Sequence, residues 1–86
     1  MNYGVRLSPQ ATKFLEKLDG HLSDRIKGKL RKIKNKPFRY LESYVGDDFF
    51  KLRIGEYRAI IDVNKENKLV IVRYLNHRRK VYKRFG

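Results

Sequence analysis

The hydrophobic pattern changes its period near residue 49, and that change constrains what this chain can fold into. Before it, apolar residues recur every three or four positions; after it, every second. Ala11, Phe14, Leu15 and Leu18 share one helical face and leave Lys13, Glu16 and Lys17 outward. Ser8-Pro9 marks the start of this helix, because serine caps orphan amides and proline needs no partner in a first turn. Gly20 reads as its stop. A second helix is expected from about Ser23 or Asp24, with Leu22, Ile26, Leu30 and Ile33 as its buried stripe and Pro37 ending the pattern. Helices joined by so few residues pack as an antiparallel hairpin. Ahead of them, Tyr3 to Leu7 alternates like a short strand.

Beyond residue 49 the alternation is that of a strand. Phe50, Leu52 and Ile54 interleave with Lys51 and Arg53, so both cations leave the strand on one face. Gly55-Glu56 is a tight turn, Tyr57 to Val63 the returning strand, and Asn64 to Asn67 a second turn before a third strand from Lys68 to Tyr74. Leu69-Val70-Ile71-Val72 is apolar on both faces, as a central strand would be. The tail from Asn76 to Gly86 sets Val81, Tyr82 and Phe85 among cations and reads as strand or short helix. The expected order is β-α-α-β-β-β plus a basic tail. It gives an α+β domain: an N-terminal strand, and a helical hairpin packed on one face of a small antiparallel sheet. With 86 residues, 41% of them apolar, residues 1–86 suit one domain with a modest core. The other sheet face is left to solvent or a ligand, with Lys51, Arg53 and Arg58 as its natural lining.

Charge narrows the function classes. Lys and Arg number 22 against 9 Asp and Glu, a net charge of +13 that attracts polyanions. After Glu66 no acidic residue occurs, while seven basic ones follow. Lys27, Lys29, Arg31, Lys32 and Lys34 make the second helix a dense positive ridge. Nucleic acid, or an assembly containing it, is the favoured partner. There is no cysteine, and only His21 and His77, so neither disulfides nor a metal site is expected, and no cofactor. No apolar run reaches the ~18 residues of a membrane helix. The opening Met1 to Arg6 lacks the apolar run of a secretory signal, so the expectation is a cytoplasmic protein that begins here.

No acid/base carboxylate pair, nucleophilic triad or glycine-rich phosphate loop is present. What remains is a set of cations and tyrosines: Lys51, Arg53, Tyr57, Arg58, Arg78 and Tyr82. Such a set suits cleavage of RNA by its own 2′-hydroxyl. Preplaced cations stabilise the charge gathering on the phosphorane, and a lysine crowded by other cations becomes a better base. Tyrosine offers a face for an unpaired base and a hydroxyl for orientation. The plainer alternative is a solvated strand face, with Tyr57 and Tyr74 as core or rim aromatics and His77 as a surface residue.

Phe50-Lys51-Leu52-Arg53-Ile54-Gly55-Glu56-Tyr57-Arg58 resembles the Y-K-L-R-x-G-x-Y-R hairpin of the RelE/ParE toxin superfamily. Tyr44-Val45-Gly46 is similar to its L-x-G lead-in, and His77-Arg78-Arg79-Lys80-Val81-Tyr82 to its H-R-x-x-V-Y ending. Leu7-Ser8-Pro9-Gln10-Ala11, followed by Phe14-Leu15, matches its usual opening. The resemblance implies a RelE-type messenger-RNA endonuclease that enters the ribosomal A site, cuts by 2′-hydroxyl attack, and is silenced by an acidic RelB-like antitoxin in a hetero-oligomer. Carried over by position, it implies Lys51 as a catalytic lysine and Arg58 as the holder of the scissile phosphate. Arg78 is then the acid or leaving-group stabiliser, and Tyr82 the residue that orients the substrate. Arg53, Arg79 and Lys80 join the ridge as RNA- or ribosome-binding residues. The chain departs from the family at Phe49, where a second lysine is usual; Lys51 itself is then the base, or electrostatics supplies most of the acceleration. Two other readings stay open: a ParE-like inhibitor of DNA gyrase, and a basic module that binds RNA or ribosomes without cutting.

Overall fold

The computed structural model describes residues 3–43 and 49–85; the Tyr44-Val45-Gly46 segment lies outside them. The elements are β1 (Gly4–Leu7), α1 (Pro9–Lys17), α2 (Gly20–Ile33), α3 (Pro37–Tyr40), β2 (Glu42–Ser43), β3 (Phe50–Ile54), β4 (Tyr57–Asn64), β5 (Leu69–His77) and α4 (Arg78–Phe85). The fold is α+β, with α1 and α2 on one face of a five-stranded sheet ordered β1-β5-β4-β3-β2. The sheet is mixed rather than wholly antiparallel, because β1 runs parallel to β5. That pairing makes β5 the inner strand that its doubly apolar Leu69 to Val72 requires.

Ser8 caps α1 as its sequence demands, its Oγ accepting from the Ala11 N–H at 3.1 Å. Gly20, expected to stop α1, instead opens α2. Asp19 is the cap, its Oδ1 accepting from the Leu22 N–H at 3.1 Å, so α2 starts before Ser23 rather than at it. The earlier start leaves Ser23, Ile26, Leu30 and Ile33 as the buried stripe, with Leu22 half-buried at its margin. Ala11 and Leu15 of α1 meet them over Leu52, Ile54, Ala59, Ile61, Val70, Val72 and Leu75 of the sheet, in one apolar cluster. A fully buried leucine or isoleucine contributes about 1.5–3 kcal/mol, so this layer dominates folding.

Where β1 ends, side chains take over its role against β5. The register slips between Ile60 and Ile61, whose partners are Tyr74 and Val72, and Arg73 bulges between them. Ser8 Oγ donates to the Arg73 carbonyl at 2.7 Å, and Ser8 N–H to the Val72 carbonyl at 2.9 Å. Gln10 then pairs with both backbone groups of Leu75: Nε2 donates to its carbonyl at 2.7 Å and Oε1 accepts its N–H at 2.8 Å. The Ser8-Pro9-Gln10 segment thus caps a helix and extends a sheet edge at once. Among the described residues no helix is long and apolar enough to cross a membrane.

Candidate functional site

Alternation sends Lys51, Arg53 and Arg58 to the sheet face away from α1 and α2, as the sequence predicts. That face is partly roofed by α4, which packs against β4 and β5. Ile60 and Val81 are buried to 2% and 1% exposure yet lie outside the main cluster, and form the small apolar seat of this helix. Between the strands and α4 runs an open groove of about 630 Å³. Lys51, Arg53 and Arg58 line its sheet side; Arg78, Arg79, Tyr82 and Lys83 line its helix side, with Val81 at the base. The ambiguous tail is therefore a helix. Residues 78/82 and 79/83 sit one turn apart and turn toward the groove together. Lys80 does not line it, and Arg84 turns back over the Tyr74 ring at 5.0 Å.

One turn ties down two arginines of the groove, Arg58 by its side chain and Arg78 by its backbone. Arg58 Nη1 donates to the Gly55 carbonyl at 2.6 Å and to the Tyr57 carbonyl at 2.7 Å, which fixes one end of its guanidinium. The Arg78 N–H donates to the Glu56 carbonyl at 2.8 Å, tying the first turn of α4 to the same β3–β4 turn. His77 reinforces the tie, with Nε2 at 3.6 Å from Glu56 Oε2 and Nδ1 accepting from the Arg79 N–H at 3.3 Å. Gly55 adopts φ +58, a conformation that a side chain strains. An added Cβ would also lie 3.1 Å from the Arg25 guanidinium, which would have to shift.

Two residues of this region escape the sequence reading: Glu42, paired with the groove residue Lys51, and Lys83 of the lining. Glu42 lies directly across from Lys51 in the β2–β3 register, with its carboxylate 3.8 Å from Nζ, so the cations crowding Lys51 are partly compensated. Nothing in a two-residue strand announces this. Lys83 follows from helical spacing once Arg79 is known to face inward. Tyr82 is 75% exposed, so its ring is accessible to a ligand. Tyr57, grouped with the cations by sequence, is on the other face: it packs edge-on to Phe14 at 5.9 Å and to His77 at 5.8 Å, beside the core. Asp62, four residues along β4 from Arg58, pairs with Arg73. Of the α2 cations, Lys29 and Lys32 line a second cleft beside the β3–β4 turn, and Lys27, Arg31 and Lys34 do not.

A groove with this many convergent cations and one exposed aromatic can hold a phosphodiester and stack a base. Among known structures, an Escherichia coli RelE toxin mutant in the free state is 27% identical, with TM-score 0.76, over 96% of this chain and 93% of that one. The archaeal RelE–RelB complex of Pyrococcus horikoshii contains a chain 26% identical, with TM-score 0.75, covering 91% of this chain and 97% of its own length. The fold is also shared with a chain of the toxin–antitoxin complex RelBE2 of Mycobacterium tuberculosis, at 22% identity and TM-score 0.80 over 91% of this chain and all (100%) of that one. No curated protein sequence matches significantly. The family of the ParE toxin of the type II toxin–antitoxin system parDE matches residues 5–82. The chain therefore belongs to the RelE/ParE toxin superfamily and is the toxin of a toxin–antitoxin system.

Proposed function

We propose that this toxin is a metal-independent endoribonuclease that enters the A site of translating ribosomes and cuts messenger RNA there. The observation that carries the reading is that Lys51, Arg58, Arg78 and Tyr82, drawn from three separate elements, line one groove. In this reading the 2′-hydroxyl attacks the adjacent phosphorus, the P–O5′ bond breaks, and a 2′,3′-cyclic phosphate and a 5′-hydroxyl result. Arg58, its guanidinium anchored to the turn, holds the scissile phosphate and stabilises the phosphorane. Arg78 compensates charge on the departing 5′-oxygen, which takes its proton from Arg78 or from water. Tyr82 stacks or orients the nucleotide. Lys51 takes the proton of the attacking hydroxyl or, with Phe49 in place of a second lysine, adds to the electrostatic stabilisation. Arg53, Arg79 and Lys80, with the α2 cations, hold ribosomal or messenger RNA by phosphate contact.

Complexes of related RelE toxins with RelB antitoxins support an antitoxin partner here. At +13, this chain calls for an acidic, partly disordered segment that folds as it binds, within a cytoplasmic hetero-oligomer. The test is expression with and without the adjacent small acidic protein, with message 5′ ends mapped on ribosomes. New ends inside codons, absent in Arg58→Ala and Arg78→Ala, are expected. Growth arrest with intact messages in all three strains would sink the nuclease reading. It would favour the second one, a ParE-like gyrase inhibitor, which the match to the ParE toxin family supports. Gyrase supercoiling in the presence of the purified toxin then decides.

A further inference from the structure

The α2 cations, expected as one ridge, occupy two stripes. At roughly 100° per residue, Arg25, Lys29 and Lys32 fall on one flank of the buried stripe. Lys27, Arg31 and Lys34 fall on the other. Only the first flank faces the β3–β4 turn, where it closes a cleft of about 320 Å³ with Arg53.

Two glycines line this cleft, and at Gly28 the space a side chain would take is open. Gly28 stands in the middle of α2, where a Cβ would find nothing closer than Arg31 Nη2 at 3.7 Å. Gly55 lines it too, and the Arg25 guanidinium lies 3.1 Å from where a Cβ there would stand. Glycine in a helix interior lowers its stability, so Gly28 is a costly way to leave space. Lys29 is steered by the Tyr40 ring, 5.0 Å from its Nζ. Among the described residues, Asp24 is the lone carboxylate in the lining, against four cations, and no aromatic ring lines the cleft. It is therefore a place for phosphate, not for a base. Arg53 lines both this cleft and the groove that holds Arg58 and Tyr82. A strand leaving the groove past Arg53 enters the cleft without passing out of the cationic surface.

We infer that this cleft is a second phosphate site for the same RNA strand, bound through Arg25, Lys29 and Lys32 with Arg53 as the bridge. The inference rests on reading the groove as an RNA site. It divides the α2 charge into a stripe that takes the strand from the groove and a stripe, Lys27, Arg31 and Lys34, that does not touch this strand and is left for ribosomal RNA.

The test uses the full-length toxin and 2′-O-methyl RNA, which cannot be cut, in a graded series of lengths, with affinity measured across a salt series. Wild type should show a step: beyond a certain length, the salt dependence steepens. Arg25→Gln/Lys29→Gln/Lys32→Gln should lose the step, lowering the long-strand slope by about 2, since each single-strand phosphate contact adds about 0.7. Short-strand binding should fall no further than in the charge-matched triple variant on the other stripe. The charge-matched Lys27→Gln/Arg31→Gln/Lys34→Gln should keep the step. Gly28→Leu plugs the cleft at constant charge with a better helix former, and should reduce long strands to short-strand affinity. Equal flattening by both triple variants, or a Gly28→Leu protein that keeps the step, overturns the cleft in favour of diffuse charge. So does an oligoglutamate peptide that binds as tightly and is lost equally on Gly28→Leu. Absence of cleavage on ribosomes leaves this binding measurement intact. Short strands that ignore Arg58→Ala and Arg78→Ala remove the groove reading and the cleft with it.

Discussion

Under α1 and α2, position comes from apolar volume: Ile26, Leu30, Ile33, Leu52, Ile61, Val70 and Val72 are all buried in one cluster. Under α4, Ile60 and Val81 are, among the described residues, the ones buried apart from that cluster, and the arginines are tied to backbone carbonyls of the Gly55-Glu56 turn. The same sheet is thus held rigid by packing on one face and presents polar groups, set by one turn, on the other. The comparison predicts that stability and activity separate by face. Volume lost under α1 and α2 should unfold the toxin without altering the groove of molecules that stay folded. Changes at the turn or in the groove should do the opposite.

The largest effect on stability belongs to the packed face. Ile33→Ala should cost about 2–5 kcal/mol in denaturant unfolding, by lost transfer energy and the cavity left behind. Cleavage per folded molecule should stay within error of wild type; a specific loss of activity would break the division by face. Gly55→Val sits where the faces are joined. It forces a branched side chain into φ +58 against Arg25, at about 1–3 kcal/mol of strain. It should also displace Arg58 and Arg78 together, so its loss of cleavage should exceed what its unfolded fraction explains. If activity instead tracks the folded fraction, the turn is not what positions the arginines.

Gln10→Ala probes the sheet edge that Ser8 and Gln10 complete. Leaving both backbone groups of Leu75 without their partner should cost about 1–3 kcal/mol, read by thermal melting, with kcat unchanged below the melt. Glu42→Gln is the mildest. Its pair with Lys51 is half-exposed, and such pairs contribute at most about 1 kcal/mol, so the melting temperature should hardly move. RNA should bind more tightly at low salt, and the gain should vanish at high salt. A gain that persists at high salt would mean that Glu42 shapes the groove beyond its charge.

How much of this was legible in the sequence follows from how local each signal is. The change of period gave the helices, the hairpin and the face carrying Lys51, Arg53 and Arg58, because alternation alone assigns faces. It could not give the parallel partner of β1, since Gly4 and Leu69 are far apart in the chain and pair through neither periodicity nor a turn. Gly20 misled because glycine ends helices more often than it opens them; the capping carboxylate of Asp19 decided the matter. Glu42 escaped because β2 has only two residues. For Tyr57 the sequence left two readings, a groove tyrosine or a core aromatic; it is an even number of residues from the core residues Ala59 and Ile61, and the structure bears out the second. The splitting of the α2 charges was present in the helical period and needed only the position of the β3–β4 turn to acquire meaning.

The central claim is that the groove between β3, β4 and α4 cuts messenger RNA, and that its arginines act in the transition state rather than in folding. Single-turnover cleavage of a message on programmed ribosomes, with saturating toxin and with melting temperatures measured on the same preparations, tests it most directly. Arg58→Ala and Arg78→Ala should each lower the rate by about two to three orders of magnitude, the ~3–4 kcal/mol of one preplaced donor, while melting as wild type does. Wild-type toxin that leaves the message whole, or both variants cutting at the wild-type rate, would contradict it.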